Sequence, residues 1–192
     1  MTQMIGHNQG PEMEGVAWRT RCWSVARREL LPTLPIEVLR RRVRRAKEVG
    51  LDYKTYATVR ATSGRDILAI LFSTNALRLI RAEQSLGAEW SAKLAAIKDT
   101  QRRALTIAPL TPASLDRIIQ SPDNVLDSAA AAPHVHASWA QAVQAMDAAR
   151  PAKMPADALL MVGDTMMEQE WSTAGRLAGY LSAARFFTNA TR

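Results

Sequence analysis

Residues 67–72 read ILAILF and residues 158–162 read ALLMV. Each is a short, continuous apolar run of strand length, set between segments with helical character, and is consistent with a buried strand. A third candidate strand is LTIA at 105–108. Short apolar runs alternating with helices predict an α/β fold with a small parallel sheet. Periodicity alone does not separate a buried strand from a buried helix, so an all-α fold is the alternative.

Around these runs the pattern predicts helices over 76–82, 89–103 and 136–149. It also predicts a helix capped by Thr111 and running through Gln120, and one from Thr165 to about Leu181. Residues 121–133 read as a loop with some helix, and Pro151 and Pro155 break the chain before the last apolar run.

Upstream, a helix is expected over 35–49. Ile36, Leu39, Val43 and Ala46, spaced three, four and three, form one apolar stripe among Arg40, Arg41, Arg42, Arg44, Arg45 and Lys47. Gly50 stops that helix, Asp52 caps the next over 53–62, and Ser63-Gly64 ends it. A further basic helix is expected over 18–31, before a stiff linker with Pro32 and Pro35. Three parts result: a disordered tail over 1–15, a basic helical module over 16–65, and an α/β or helical layer over 66–192 continuous with the module.

With 192 residues, 47% of them hydrophobic, the chain has the size and apolar content of one domain with a real core. Its single Cys excludes an intramolecular disulfide. The first fifteen residues lack the pattern of a secretory signal, and no run approaches the roughly 18 apolar residues of a membrane helix. A soluble, cytoplasmic protein without a membrane span is therefore expected.

The net charge of +7 is unevenly placed. Residues 1–103 hold 19 Lys/Arg against 10 Asp/Glu, whereas residues 104–192 hold 6 against 8. The excess concentrates over 19–65, with 13 basic and 4 acidic residues. A GC-rich codon bias accounts for 20 Arg against 5 Lys, but not for their clustering. Such a stripe attracts phosphate backbones or anionic surfaces.

Residues 42–61, RVRRAKEVGLDYKTYATVRA, carry a small residue at Ala46, a Gly at Gly50, and apolar residues at Val49, Leu51, Tyr56 and Val59. This spacing resembles the helix-turn-helix motif of phage repressors and Cro-like proteins, with Arg45 where that motif has an apolar or small residue. The resemblance implies that Tyr53, Lys54, Ala57 and Thr58 face bases, while Arg41, Arg44, Arg45, Arg60 and Arg65 meet phosphates. An ordinary αα-hairpin with a Gly turn fits the same spacing. Trp18 and Trp23 flank Arg19 and Arg21; they read as core anchors more readily than as base-stacking residues.

Residues 158–179, ALLMVGDTMMEQEWSTAGRLAG, place Gly-Asp at the end of an apolar run. This is similar to the fourth motif of the haloacid dehalogenase superfamily, and ILAILFSTN, ending at Asn75, resembles its second. The resemblance implies a ligand site near Asn75 and Asp164 at a strand edge. The superfamily's Asp-x-Asp nucleophile motif occurs nowhere in the chain, which argues against phosphatase activity. The simpler role for Asp164 is to cap the following helix.

Other candidates are weaker. His134 and His136 lack a third metal ligand, Cys22 is a lone thiol, and Thr62-Ser63-Gly64-Arg65 is not a phosphate-binding loop. Neither a cofactor nor a metal is expected. The reading is a non-enzymatic nucleic-acid-binding regulator, with DNA favoured over RNA and self-association possible. The alternatives are an adaptor whose basic face docks an acidic protein, and a ligand-binding α/β domain.

Overall fold

A computed structural model describes residues 34–81, 83–121 and 125–188. The expected tail over 1–15 and the expected helix over 18–31, with Trp18, Cys22 and Trp23, lie outside the described residues. The chain divides into two compact units, 1–39 and 40–192. Helix α1 (Ile36–Val49) runs across that boundary, and of the first unit only 34–39 is described.

The second unit is an α/β domain. After α1 come α2 (Tyr53–Ser63), β1 (Ala69–Ser73), α3 (Ala88–Ala95) and β2 (Gln101–Thr106). A 3-10 turn (Pro112–Leu115) leads into α4 (Asp116–Ile119), then β3 (Ser128–Ala131), α5 (Trp139–Ala149) and β4 (Leu159–Gly163). The chain closes with α6 (Met166–Ala174), β5 (Gly179–Ser182) and α7 (Ala183–Thr188). The five strands are all parallel, in the order β3-β2-β1-β4-β5.

The unbroken apolar runs are the mark of strands covered on both faces. Ile70 and Phe72 of β1, with Leu160 and Val162 of β4, pack on Ala46, Val49, Tyr56, Leu94 and Phe186. Their neighbours Ala69, Leu71, Leu159 and Met161 pack on Met146, Ala149, Trp171 and Ala174. Helices α1–α3 and α7 thus cover one face, and α5 and α6 the other. The α/β expectation holds and the all-α alternative does not.

Several element boundaries differ from the sequence reading. Residues 74–78 form a turn, not the start of a helix over 76–82. Leu79 N donates to Thr74 O at 2.9 Å, and Arg78 adopts a left-handed φ of 57° that stops any helix. The helix expected over 89–103 ends at Ala95, and Asp99, at φ 50°, turns the chain into β2. Residues 128–131 are a strand within the expected loop; the last expected helix ends at Ala174, β5 takes its final residues, and α7 follows it. Among the described residues, no helix is long and apolar enough to cross a membrane.

Candidate functional site

In an open parallel sheet, ligands bind beyond the carboxyl ends of strands, where the strand order reverses. Here that point lies between β1, which leads outward to β2 and β3, and β4, which leads outward to β5. β1, the first strand of the chain, ends at Ser73 and is followed by Thr74-Asn75; β4 ends at Gly163 and is followed by Asp164-Thr165. Asn75 and Asp164, singled out from sequence as ligand candidates, thus come to one crevice through the pairing of β1 with β4.

The crevice is organised around Glu168, which is fully buried. Its Oε1 accepts from Asn75 Nδ2 at 2.9 Å, and its Oε2 accepts from Thr165 N at 2.9 Å and from Asp164 N. The Thr165 hydroxyl accepts from Glu168 N at 3.3 Å, completing a reciprocal capping box at the start of α6. The carboxylate of the chain itself therefore lies against the free N–H groups of this helix, where negative charge is favoured. Gly163 is required by packing, since a Cβ there would stand 2.6 Å from Glu168 Oε2 and 2.7 Å from Tyr180 Cε2. Burial, together with the Glu168 and Asp164 charges, pushes the Tyr180 phenol up to about 12. Its hydroxyl stays protonated and donates to Thr165 O at 3.2 Å.

Asp164 does not cap α6, because Thr165 is the N-cap. Its carboxylate faces Arg78 at 3.0 Å, on the turn after β1. The crevice thus carries a buried Asn–Glu pair and an outer Arg–Asp pair, with hydroxyl and amide groups at the end of β1. No carboxylate nucleophile stands at β1, which agrees with the missing Asp-x-Asp motif. Among the described residues no group of His, Cys, Asp and Glu is arranged to hold a metal.

The basic pair is the second candidate. Gly50 has φ 79° and turns the chain between α1 and α2, and Ala46, Val49, Leu51 and Tyr56 are buried at their seam. Asp52 caps α2, accepting from Thr55 N at 2.9 Å. Partial burial works to raise the Asp52 carboxyl, but hydrogen bonds from Thr55 and the charge of Arg185 hold it below its ordinary range.

The nine residues assigned to nucleic acid separate into two groups. Arg45 turns inward: it donates to Asp66 Oδ2 at 3.0 Å, to Thr100 Oγ1 at 3.0 Å and to the Ile67, Lys98 and Asp99 carbonyls at 2.9–3.1 Å. Its side chain keeps 13% of its exposure. Arg60 reaches Tyr56 Oη at 3.4 Å and lies 3.8 Å from Asp66; Arg65 pairs with Asp157 at 2.9 Å. Arg65 stays exposed despite that pair, as do Arg41 and Arg44 on α1 and Lys54 and Thr58 on α2, with Tyr53 and Ala57 partly so. Lys47 of α1 adds an exposed charge that was not assigned.

Glu168 was not singled out from sequence. Its signal was the Thr-x-x-Glu spacing after an apolar strand, Thr165 to Glu168, which marks a capping box. Compared with known protein families, curated proteins and solved structures, the chain matches none.

Proposed function

We propose that this protein binds nucleic acid, DNA in preference to RNA, through the exposed face of α1 and α2, and acts as a regulator rather than an enzyme. The observation that carries the reading is the division of the pair into two sides. Its apolar side is buried in the domain core, while Arg41, Arg44, Lys47, Lys54 and Thr58 remain at the surface. A rigidly mounted helix presenting Lys54, Ala57 and Thr58, beside arginines on the preceding helix, has the chemistry of base-edge contact flanked by phosphate contact. The deep, narrow major groove of A-form RNA does not admit such a helix, whereas that of B-form DNA does. Arg45, Arg60 and Arg65 fall outside the contact set, because each is already engaged within the domain.

The test is titration of the full chain with a labelled DNA duplex at several salt concentrations. Binding should weaken linearly in log[salt], with a slope near 0.9 per phosphate neutralised. Binding of an acidic protein by the same face, without binding of DNA or RNA, would place the chain among adaptors instead.

A second reading rests on the crevice. The convergence of Asn75, Arg78, Asp164 and Glu168 at the switch point of a parallel sheet suits a small polar ligand held without covalent chemistry. Ligand binding that disappears in Asp164→Ala, with the fold intact, would support it.

A further inference from the structure

Residues 128–146 are the longest stretch of the chain without Asp, Glu, Lys or Arg, in a sequence that is 22% charged. A charge-free run is ordinary where it is mostly buried, as over 67–77. This one is largely at the surface. Ala131, Val135, Trp139, Ala140, Gln141 and Gln144 are all exposed, Val135 to 60% and Trp139 to 59%. The stretch comprises β3, the connection that follows it, and most of α5, which packs on β3.

β3 is also an edge of the sheet: among the described residues, β2 alone pairs with it. An edge strand presents unpaired N–H and C=O groups, which soluble proteins shield with lysines, prolines or bulges. Ser-Ala-Ala-Ala holds neither Lys nor Pro, its pairing with β2 is continuous, and its side chains are too small to keep another backbone away. The opposite edge, β5, lies between the exposed Arg176 and Arg185. The acids that border the uncharged stretch are each paired within the chain, Asp127 with Arg102 at 2.9 Å and Asp147 with Arg150 at 3.3 Å.

We propose that this surface docks a second copy of the chain, the two β3 strands pairing antiparallel about a two-fold axis normal to the sheet. The five strands of each copy then join in one continuous sheet. An axis of that kind keeps both α5 helices on the same face, so the exposed residues of the stretch border the junction. An isologous contact sets one patch against itself, so a charge near the axis would meet its like. Two chains of net charge +7 repel, and at this edge they meet without adding to that repulsion. A charged partner finds nothing here to pair with. Val135 and Trp139 supply apolar area, and aromatic residues with few charges are the composition of interface centres. The dimer is independent of what the basic face binds.

The experiment measures the mass of the full chain by light scattering during gel filtration at micromolar concentration. Wild type should have twice the mass of one chain. Ala131→Glu/Trp139→Glu, which sets like charges at the junction, should stay folded by circular dichroism and halve in mass. Val135→Lys/Gln144→Lys, which leaves the strand itself unchanged, should do the same. Ser182→Glu, a new charge at the β5 edge, should remain a dimer. Raising the salt should leave the dimer intact, because no ion pair holds it and screening weakens the repulsion of the two chains. A monomeric wild type would overturn the proposal and leave the edge to a different partner. A dimer that survives in either folded double variant, or that Ser182→Glu or salt dissociates, would overturn it too.

Discussion

Asn75 and Glu168 are 93 residues apart in the chain, yet Asn75 Nδ2 donates to Glu168 Oε1 at 2.9 Å. This bond ties the end of the first strand to the first turn of α6, across the point where the sheet reverses its order. Glu168 also accepts two backbone N–H groups, so one fully buried carboxylate holds three donors in place. The carboxylate is internal and satisfied, which gives the crevice a fixed shape.

Removal of that carboxylate leaves the amide of Asn75 and two N–H groups without their acceptor. Glu168→Ala should therefore lose about 2–4 kcal/mol of stability in urea unfolding. Glu168→Gln keeps one oxygen but turns an NH2 group toward other donors, so it should recover only part of the loss. Wild-type stability in Glu168→Ala would show that the three donors find water instead.

The arginines of α1 should divide by direction. Arg45→Ala removes a mostly buried guanidinium and its bonds to Asp66, Thr100 and three carbonyls, at a cost of about 2–3 kcal/mol. Arg44→Ala, on the exposed side, should stay within about 0.5 kcal/mol of wild type. Urea midpoints of the two variants measure the difference directly.

Lys93 gives a pH dependence whose sign follows from its environment. Between about 8 and 10.5 the unfolded chain keeps a proton that the folded chain has released, so the contribution of Lys93 to stability rises with pH in this window. Below pH 8 both states are charged and the burial cost is fully present. Lys93→Met should therefore melt at a higher temperature than wild type at pH 7, and the gap should close as pH rises from 8 to 10.5. A gap that stays constant with pH would mean that the amine is as hydrated in the folded state as in the unfolded one.

The parts of the fold legible in the sequence were those with both faces covered. ILAILF and ALLMV announce β1 and β4 because nothing polar interrupts a strand packed between two helical layers. The strand SAAA at β3 carries no large apolar residue and lies at the sheet edge, so it read as loop. β2 begins Gln-Arg-Arg at the margin of the sheet, where Arg102 pairs with Asp127 at 2.9 Å, and these polar residues extended the apparent helix before it. β5, four residues opened by a glycine, disappeared into the helical pattern before it.

The site divided in the same way. Asn75 and Asp164 were readable because they end apolar runs, whereas Glu168 was lost among the polar residues of α6. The inward course of Arg45 depends on Asp66 and on carbonyls 22 to 54 residues away, which no local pattern encodes. Its place among the arginines of α1 made it look like a phosphate contact, yet it secures that helix to the segments that lead into β1 and β2.

The most direct test of the proposed function compares Arg41→Glu/Arg44→Glu/Lys54→Glu with Arg60→Glu/Arg65→Glu in titrations against a labelled DNA duplex at low salt. The account predicts that the wild type binds, that the first variant loses affinity by about two orders of magnitude or more, and that the second keeps most of it. An absence of wild-type binding to any duplex, or an equal loss in both variants, would contradict it.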